Sequence, residues 1–177
     1  MALPDYFKIA DSTPLVIKNS GGDAGITLAS LANSNSESTG ARQAATLDFG
    51  ALRAMAYRLD VEFELAATPT DGNLIWVYGS WSAATGAGKG GTSGSDAAYT
   101  GYSSNITGSL GHLRPLGFHR CTVQATATVQ KSNLGVIYPQ ARYLNVVIWN
   151  KSGAAFHSTD TNQVIKFLPI VNSIEDA

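Results

Sequence analysis

The stretch Arg58-Leu59-Asp60-Val61-Glu62-Phe63-Glu64-Leu65 decides the fold class. Arg58, Asp60, Glu62 and Glu64 fall on one parity, and Leu59, Val61, Phe63 and Leu65 on the other. Successive side chains of a strand point to opposite faces, so the period of two writes one charged and one apolar face. A helix would scatter the same residues around its circumference. Thr68-Pro69-Thr70-Asp71-Gly72-Asn73 follows with turn chemistry. Pro69 fixes its own φ, Gly72 admits a positive φ, and Asp71 and Asn73 can bond their own backbone. Leu74-Ile75-Trp76-Val77-Tyr78 is apolar on both parities, the mark of a central strand. Strand, turn and strand predict a β-hairpin as the spine of the fold.

On the N-terminal side, Thr46 and Asp48 alternate with Ala45, Leu47 and Phe49, and Leu15-Val16-Ile17 is a short strand closed by a turn at 19–23. Residues 26–31 alternate weakly in the manner of a strand, 33–40 is a polar loop, and 52–57 tolerates one helical turn at best. Residues 1–13 show no periodicity and read as an arm. On the C-terminal side, 82–105 is dense in Gly, Ser, Ala and Thr, and irregular loops of that length are either functional or disordered. Tyr99 and Tyr102 suggest that its far end is docked. A short strand is predicted over 113–118. Cys121, Val123, Ala125, Ala127 and Val129 then alternate with Thr122, Gln124, Thr126, Thr128 and Gln130, which predicts a strand with an uncharged outer face. Tyr138-Pro139 breaks the next strand, Leu144-Asn145-Val146-Val147-Ile148-Trp149 is another central one, and 164–168 is the last. About eight to ten short strands, with turn signals between them and no real helix, predict an all-β fold. It is a single-domain antiparallel β-sandwich of jelly-roll type over 14–171, between the 1–13 arm and a 172–177 tail.

The chain has 177 residues, enough for one domain with a sizeable core. Charged residues are only 14%, against about a quarter in ordinary soluble domains. Such a surface suits burial against partners, where charge would have to be desolvated. Twelve basic against thirteen acidic residues give a net charge of −1, so no basic excess is available for a nucleic acid. A charge so near zero also gives little colloidal repulsion, which favours an assembled state. Cys121 is the single cysteine, so neither an intrachain disulfide nor oxidative export is expected. Met1 to Ser12 carry Asp5 and Asp11, unlike a signal peptide, and no apolar run reaches bilayer length. A soluble chain made in a cytoplasm, with no membrane partner, is expected.

Gly86-Ala87-Gly88-Lys89-Gly90-Gly91 formally matches a dinucleotide fingerprint. No helical pattern follows it, and Lys89 is not followed by Ser or Thr, so it reads as a loop. Asp60, Glu62 and Glu64 are neighbours on one solvated strand face rather than a glycosidase pair. His119 and Cys121 are two ligands where zinc wants three or four, and His112 and His157 have no partner at ligand spacing. Gly91-Thr92-Ser93-Gly94-Ser95 misses the last glycine of a nucleophile elbow. No catalytic residue, cofactor or metal is therefore expected. Trp76, Trp81, Tyr99, Tyr102, Tyr143 and Trp149 either form a platform for sugars or anchor a core or an interface.

Several segments resemble a family of small virion proteins of tailed bacteriophages. They are Val61-Glu62-Phe63-Glu64-Leu65 with its Pro-Thr-Asp-Gly turn, and Ser93-Gly94-Ser95-Asp96-Ala97-Ala98-Tyr99-Thr100-Gly101. Further along come Ala141-Arg142-Tyr143, then Val146-Val147-Ile148-Trp149-Asn150-Lys151-Ser152-Gly153-Ala154-Ala155 with His157-Ser158, and Leu168-Pro169-Ile170-Val171. The resemblance covers roughly residues 45–171, in order and spacing. It implies a capsid decoration or cement protein, a jelly-roll module on the virion surface. Its partners would be the major capsid protein and itself, as a trimer or other small homo-oligomer, with no cofactor and no catalytic residue. The chain's own pattern agrees: an arm and a long loop can gain order on a neighbour, and open sheet edges can be augmented by one. Tyr6 and Phe7 in the arm, and Trp81, Tyr99 and Tyr102 around the loop, are the residues expected to bind partners. The rival expectation is a carbohydrate-binding or receptor-binding module of a tail or fibre, which requires at least two coplanar exposed aromatics on one face.

Overall fold

The alternation at 58–65 becomes a strand whose two faces are those its parity assigns. Leu59, Val61 and Phe63 are buried, whereas Arg58, Asp60 and Glu62 stand on the outer side. The computed structural model describes residues 13–34, 39–51, 54–125 and 128–170. Tyr6 and Phe7, with most of the expected arm, and the 172–177 tail lie outside the described residues. Among the described residues the strands are β1 (Leu15–Ile17), β2 (Ala41–Gln43), β3 (Leu47–Asp48), β4 (Ala56–Glu64) and β5 (Leu74–Ser82). They continue with β6 (Ala97–Ala98), β7 (Arg114–Arg120), β8 (Val129–Ile137), β9 (Tyr143–Lys151) and β10 (Val164–Ile170). One short helix, α1 (Ile106–Leu110), precedes β7.

The strands form two antiparallel sheets. One has the order β1-β10-β4-β8; the other has β6-β2-β9-β5-β7, with β3 also paired to β9. The core between them is Ile17, Leu47, Leu59, Phe63, Ile75, Val77, Val146, Ile148, Phe156 and Phe167, among others. Phe63 and Phe156 meet edge to face at 5.3 Å, an arrangement that aligns ring edges with π faces. The chain is an all-β sandwich.

The predicted hairpin does not form. β4 pairs with β10 and β8 in one sheet, and β5 with β9 and β7 in the other. Residues 65–73 bridge the two sheets, longer than the two to five residues that join hairpin strands. The two apolar faces therefore meet across the core instead of lying side by side on one surface.

The strand predicted from Cys121 also fails, because β8 begins only at Val129 and Thr122, Val123, Gln124 and Ala125 are exposed. Among the described residues no strand runs alongside to pair with them. The Gln130 side chain takes the place of a ladder: its Oε1 accepts from the Thr122 backbone N–H (3.0 Å) and its Nε2 donates to the Thr122 carbonyl (3.0 Å). Residues 26–31 make no strand either, though Ile26 and Leu28 reach the core. The 52–57 segment yields its last two residues to β4. The helix α1, which the sequence reading lacked, is capped by Asn105, whose Oδ1 accepts from the Gly108 N–H at 2.8 Å.

Candidate functional surfaces

Alternate residues of β9 face the core, and the others, Asn145, Val147 and Trp149, are buried too. What covers them is the Gly-rich segment 83–113, which is docked flat on the outer face of the six-stranded sheet. Asn145 fixes it from below: its Nδ2 donates to the Gly86 carbonyl (2.8 Å) and to Thr92 Oγ1 (3.2 Å), and its Oδ1 accepts from Thr46 Oγ1 (2.8 Å). Ser80 Oγ accepts from the Lys89 N–H (2.8 Å), and Gln43 Oε1 from the Ser93 N–H (2.6 Å). Asp96 accepts from Arg42 Nε and from Thr27 Oγ1. Burial works against the charge on Asp96, but Arg42 and Thr27 hold its carboxyl below the ordinary value. Ala41, Tyr99, Ile106, Leu110, Leu113, Val147 and Trp149 make a second core under this cap.

Beside the cap the same face stays open across β5 and β7 and at the Lys151 end of β9. One row reads Trp149, Trp76, Phe118, and the next Lys151, Leu74, Arg120. Trp76 and Tyr78 lie nearly parallel, 25° apart with centroids at 6.0 Å, and Phe118 is 5.2 Å from Trp76. The Lys151 ammonium rests over the Trp149 ring at 4.3 Å, a cation–π contact. A groove of about 430 Å³ runs between Trp76, Leu74, Asn73, Lys151 and the Asn33 segment. Among the described residues neither Lys151 nor Arg120 is paired with a carboxylate.

The outer face of the other sheet is divided. At one end Arg58 pairs with Asp60 (2.9 Å), and Lys166 and Lys131 flank Glu62. The hydrogen bond from Lys166 leads the effects that hold the Glu62 carboxyl below its ordinary value. Glu64 departs from the solvated face expected for it: it is buried, and its carboxylate accepts from Asn162 Nδ2 at 2.8 Å. The other end is apolar, where β4 begins and β8 and β10 finish. Ile170 stands opposite Ala56, and the next row, where Arg58 lies between Leu168 and Val136, is the boundary with the charged part. Met55 is 88% exposed, Tyr138 62%, Val136 49% and Ile170 43%.

The aromatics expected to bind partners separate. Trp81 packs on the main core, 5.2 Å from Phe49, and its indole N–H is buried with no acceptor among the described residues. Tyr99 is buried, its hydroxyl donates to the Gly90 carbonyl at 2.5 Å, and burial pushes its pKa up to about 12. It anchors the cap from inside, so it is closed to a partner. Tyr102 is half exposed and meets His112 edge to face at 5.8 Å. His119 and Cys121 are both buried. The His119 ring lies 2.7 Å from Ser132 Oγ and 3.2 Å from Gln130 Oε1, and burial pushes its pKa down. Burial pushes the Cys121 thiol up to about 11, away from thiolate chemistry. The Gly86–Gly91 run forms a short 3-10 turn followed by extended backbone at Thr92, unlike a phosphate-binding helix start. Sequence reasoning missed Phe118 and the apolar quartet of Met55, Val136, Tyr138 and Ile170. Their exposure is set by strand register, which no local pattern encodes. Comparisons with protein-family models, with curated proteins and with solved structures find no match to this chain.

Proposed function

We propose that this chain is a non-enzymatic structural protein of a phage particle, a decoration or cement protein that binds the lattice of the major capsid protein. Two features support the reading. The first is the path of the chain. Strands β1, β4, β8 and β10 make one sheet and β2 with β3, β5, β7 and β9 most of the other, so among the described residues the chain crosses between sheets at six of the nine steps from strand to strand. The steps that stay within a sheet are β2 to β3 and β5 through the short β6 to β7. Such a path supports reading the sandwich as a jelly roll wound from two Greek keys.

The observation that carries the attachment is the apolar end of the β1-β10-β4-β8 sheet. Met55, Val136, Tyr138 and Ile170 are exposed toward the end where β4 begins, up to the row of Arg58, and from Arg58 onward the face carries the ion pairs of Asp60 and Glu62. Clustered apolar exposure of this kind marks a surface that another protein covers. A low overall charge lets the rim be buried without stranding ions. The test is co-sedimentation of the purified chain with shells that lack it, at increasing chain concentration. Saturable binding at a fixed ratio to the shell subunit is expected. A chain that stays a free monomer at every concentration would remove the reading.

A further inference from the structure

We infer that the groove beside Trp76, on the outer face of the six-stranded sheet, binds a saccharide that carries an acidic group. This activity is separate from attachment to a shell, which uses the opposite sheet. Three features of the groove converge on that ligand.

The first is an aromatic wall. Trp76 is half-buried and lines the groove, with Tyr78 stacked against it and Phe118 tilted beside it, both outside the lining. The C–H face of a pyranose is apolar and stacks on such rings, while its hydroxyls point outward in the ring plane. The second is a polar margin. Asn73 borders the groove, and an amide both donates to and accepts from a hydroxyl; Asn33 borders it too, its Oδ1 accepting from the Gly153 N–H at 2.8 Å. Gly72 also lines the groove and holds φ at +80°, where a side chain would be strained.

The third is charge. Lys151 and Arg120 bracket Leu74 on one row, and among the described residues neither is paired with a carboxylate. The Lys151 ammonium is held over Trp149 at the groove wall, with donors left for a ligand. A carboxylate or phosphate on the sugar supplies the missing partner through a charge-assisted hydrogen bond. The volume, about 430 Å³, lies within the range of small-ligand sites. A protein partner fits less well, because the centre of a protein interface is depleted in Lys, and here Lys151 and two amides line the groove.

The test uses the full chain and pairs of oligosaccharides of the same linkage, one bearing a uronic or sialic acid and the other its neutral counterpart. Binding is read by intrinsic tryptophan fluorescence and by calorimetry. The acidic member is expected to bind at least about tenfold more tightly, the factor of one charge-assisted hydrogen bond. That preference should shrink at high salt. Lys151→Gln should lose the preference and keep the neutral affinity, and Trp76→Leu should lose both. Thermal melts establish that each variant folds. Should Trp76→Leu not fold, Phe118→Ser on the exposed rim takes its place. Silence toward both members of every pair overturns the inference. So does acidic binding that Lys151→Gln leaves unchanged, or a response only to apolar peptides. Co-sedimentation with shells is read separately, so failure here leaves the structural reading standing.

Discussion

Asn145 shows how much of this surface hangs on single side chains. It is buried in the middle of β9, where an apolar residue would ordinarily sit, and its amide reaches Gly86, Thr92 and Thr46 at once. Replacing it with Ala leaves those groups without partners under the cap. The expected cost is about 2–3 kcal/mol, the price of stranded buried polar groups, read as a lower urea midpoint. The same variant should become sensitive to protease within 83–95. Gly88→Ala should act in the same direction, since a Cβ there would stand 2.5 Å from Ser80 Oγ and 2.8 Å from Thr92 Oγ1. His119 gives a pH signature. Burial holds its folded pKa below the ordinary 6.5, so the unfolded chain takes the proton more readily. Its contribution to stability is therefore complete above pH 6.5 and falls as the pH drops from there toward the folded value. His119→Gln should flatten the dependence of the urea midpoint between pH 7.5 and 5. The carboxylates of Glu62 and Asp96, held below 4.5 and 3.8, add their own losses only in more acid solution.

Among the elements, those fixed by local alternation were legible and those fixed by pairing were not. The inward side of β4 and the central places of β5 and β9 follow from parity and from apolar runs, because burial acts on each strand by itself. Which strand lies beside β4 is a matter of long-range register, and the turn at 68–73 serves an arch between sheets as well as it serves a hairpin. Residues 121–125 alternate as cleanly as β4 does, yet among the described residues no strand pairs with them and they stay outside the sheets. The candidate groove was half legible. Trp76 and Trp149 stand out as strand aromatics, but which of them stays open depends on where 83–113 lies down, and composition gave that segment no fixed place. Its order comes from Asn145, Ser80, Gln43 and the apolar underside around Ile106 and Leu110. The cap should therefore behave as one unit with its own stability. Leu110→Ala, which empties a buried position under it, should cost about 2–4 kcal/mol locally. Hydrogen exchange would then speed up across 86–113 while amides of β4 and β10 keep their protection. Uniform acceleration through both sheets would show instead that cap and sandwich unfold together.

At the scale of the molecule, the two sheets turn contrasting outer faces away from each other. One is charged and ion-paired over most of its area, with an apolar end at Met55, Val136, Tyr138 and Ile170; the other is capped on one side and carries the aromatic groove on the other. A protein lying on a shell through the apolar end would leave the groove facing outward, so attachment and ligand binding should separate by mutation. Val136→Lys with Tyr138→Ser places charge and polarity in the apolar end without touching the core, because both side chains are already in water. Folding should hold within about ±0.5 kcal/mol, as for exposed sites in general. Shell binding should fall steeply, since a charge now has to be desolvated at the contact. Saccharide binding should stay as it was. Co-sedimentation, thermal melting and glycan titration on the one double variant report these three outcomes independently. Unchanged co-sedimentation would move the attachment to another surface, and lost saccharide binding would mean that the two faces are coupled through the core.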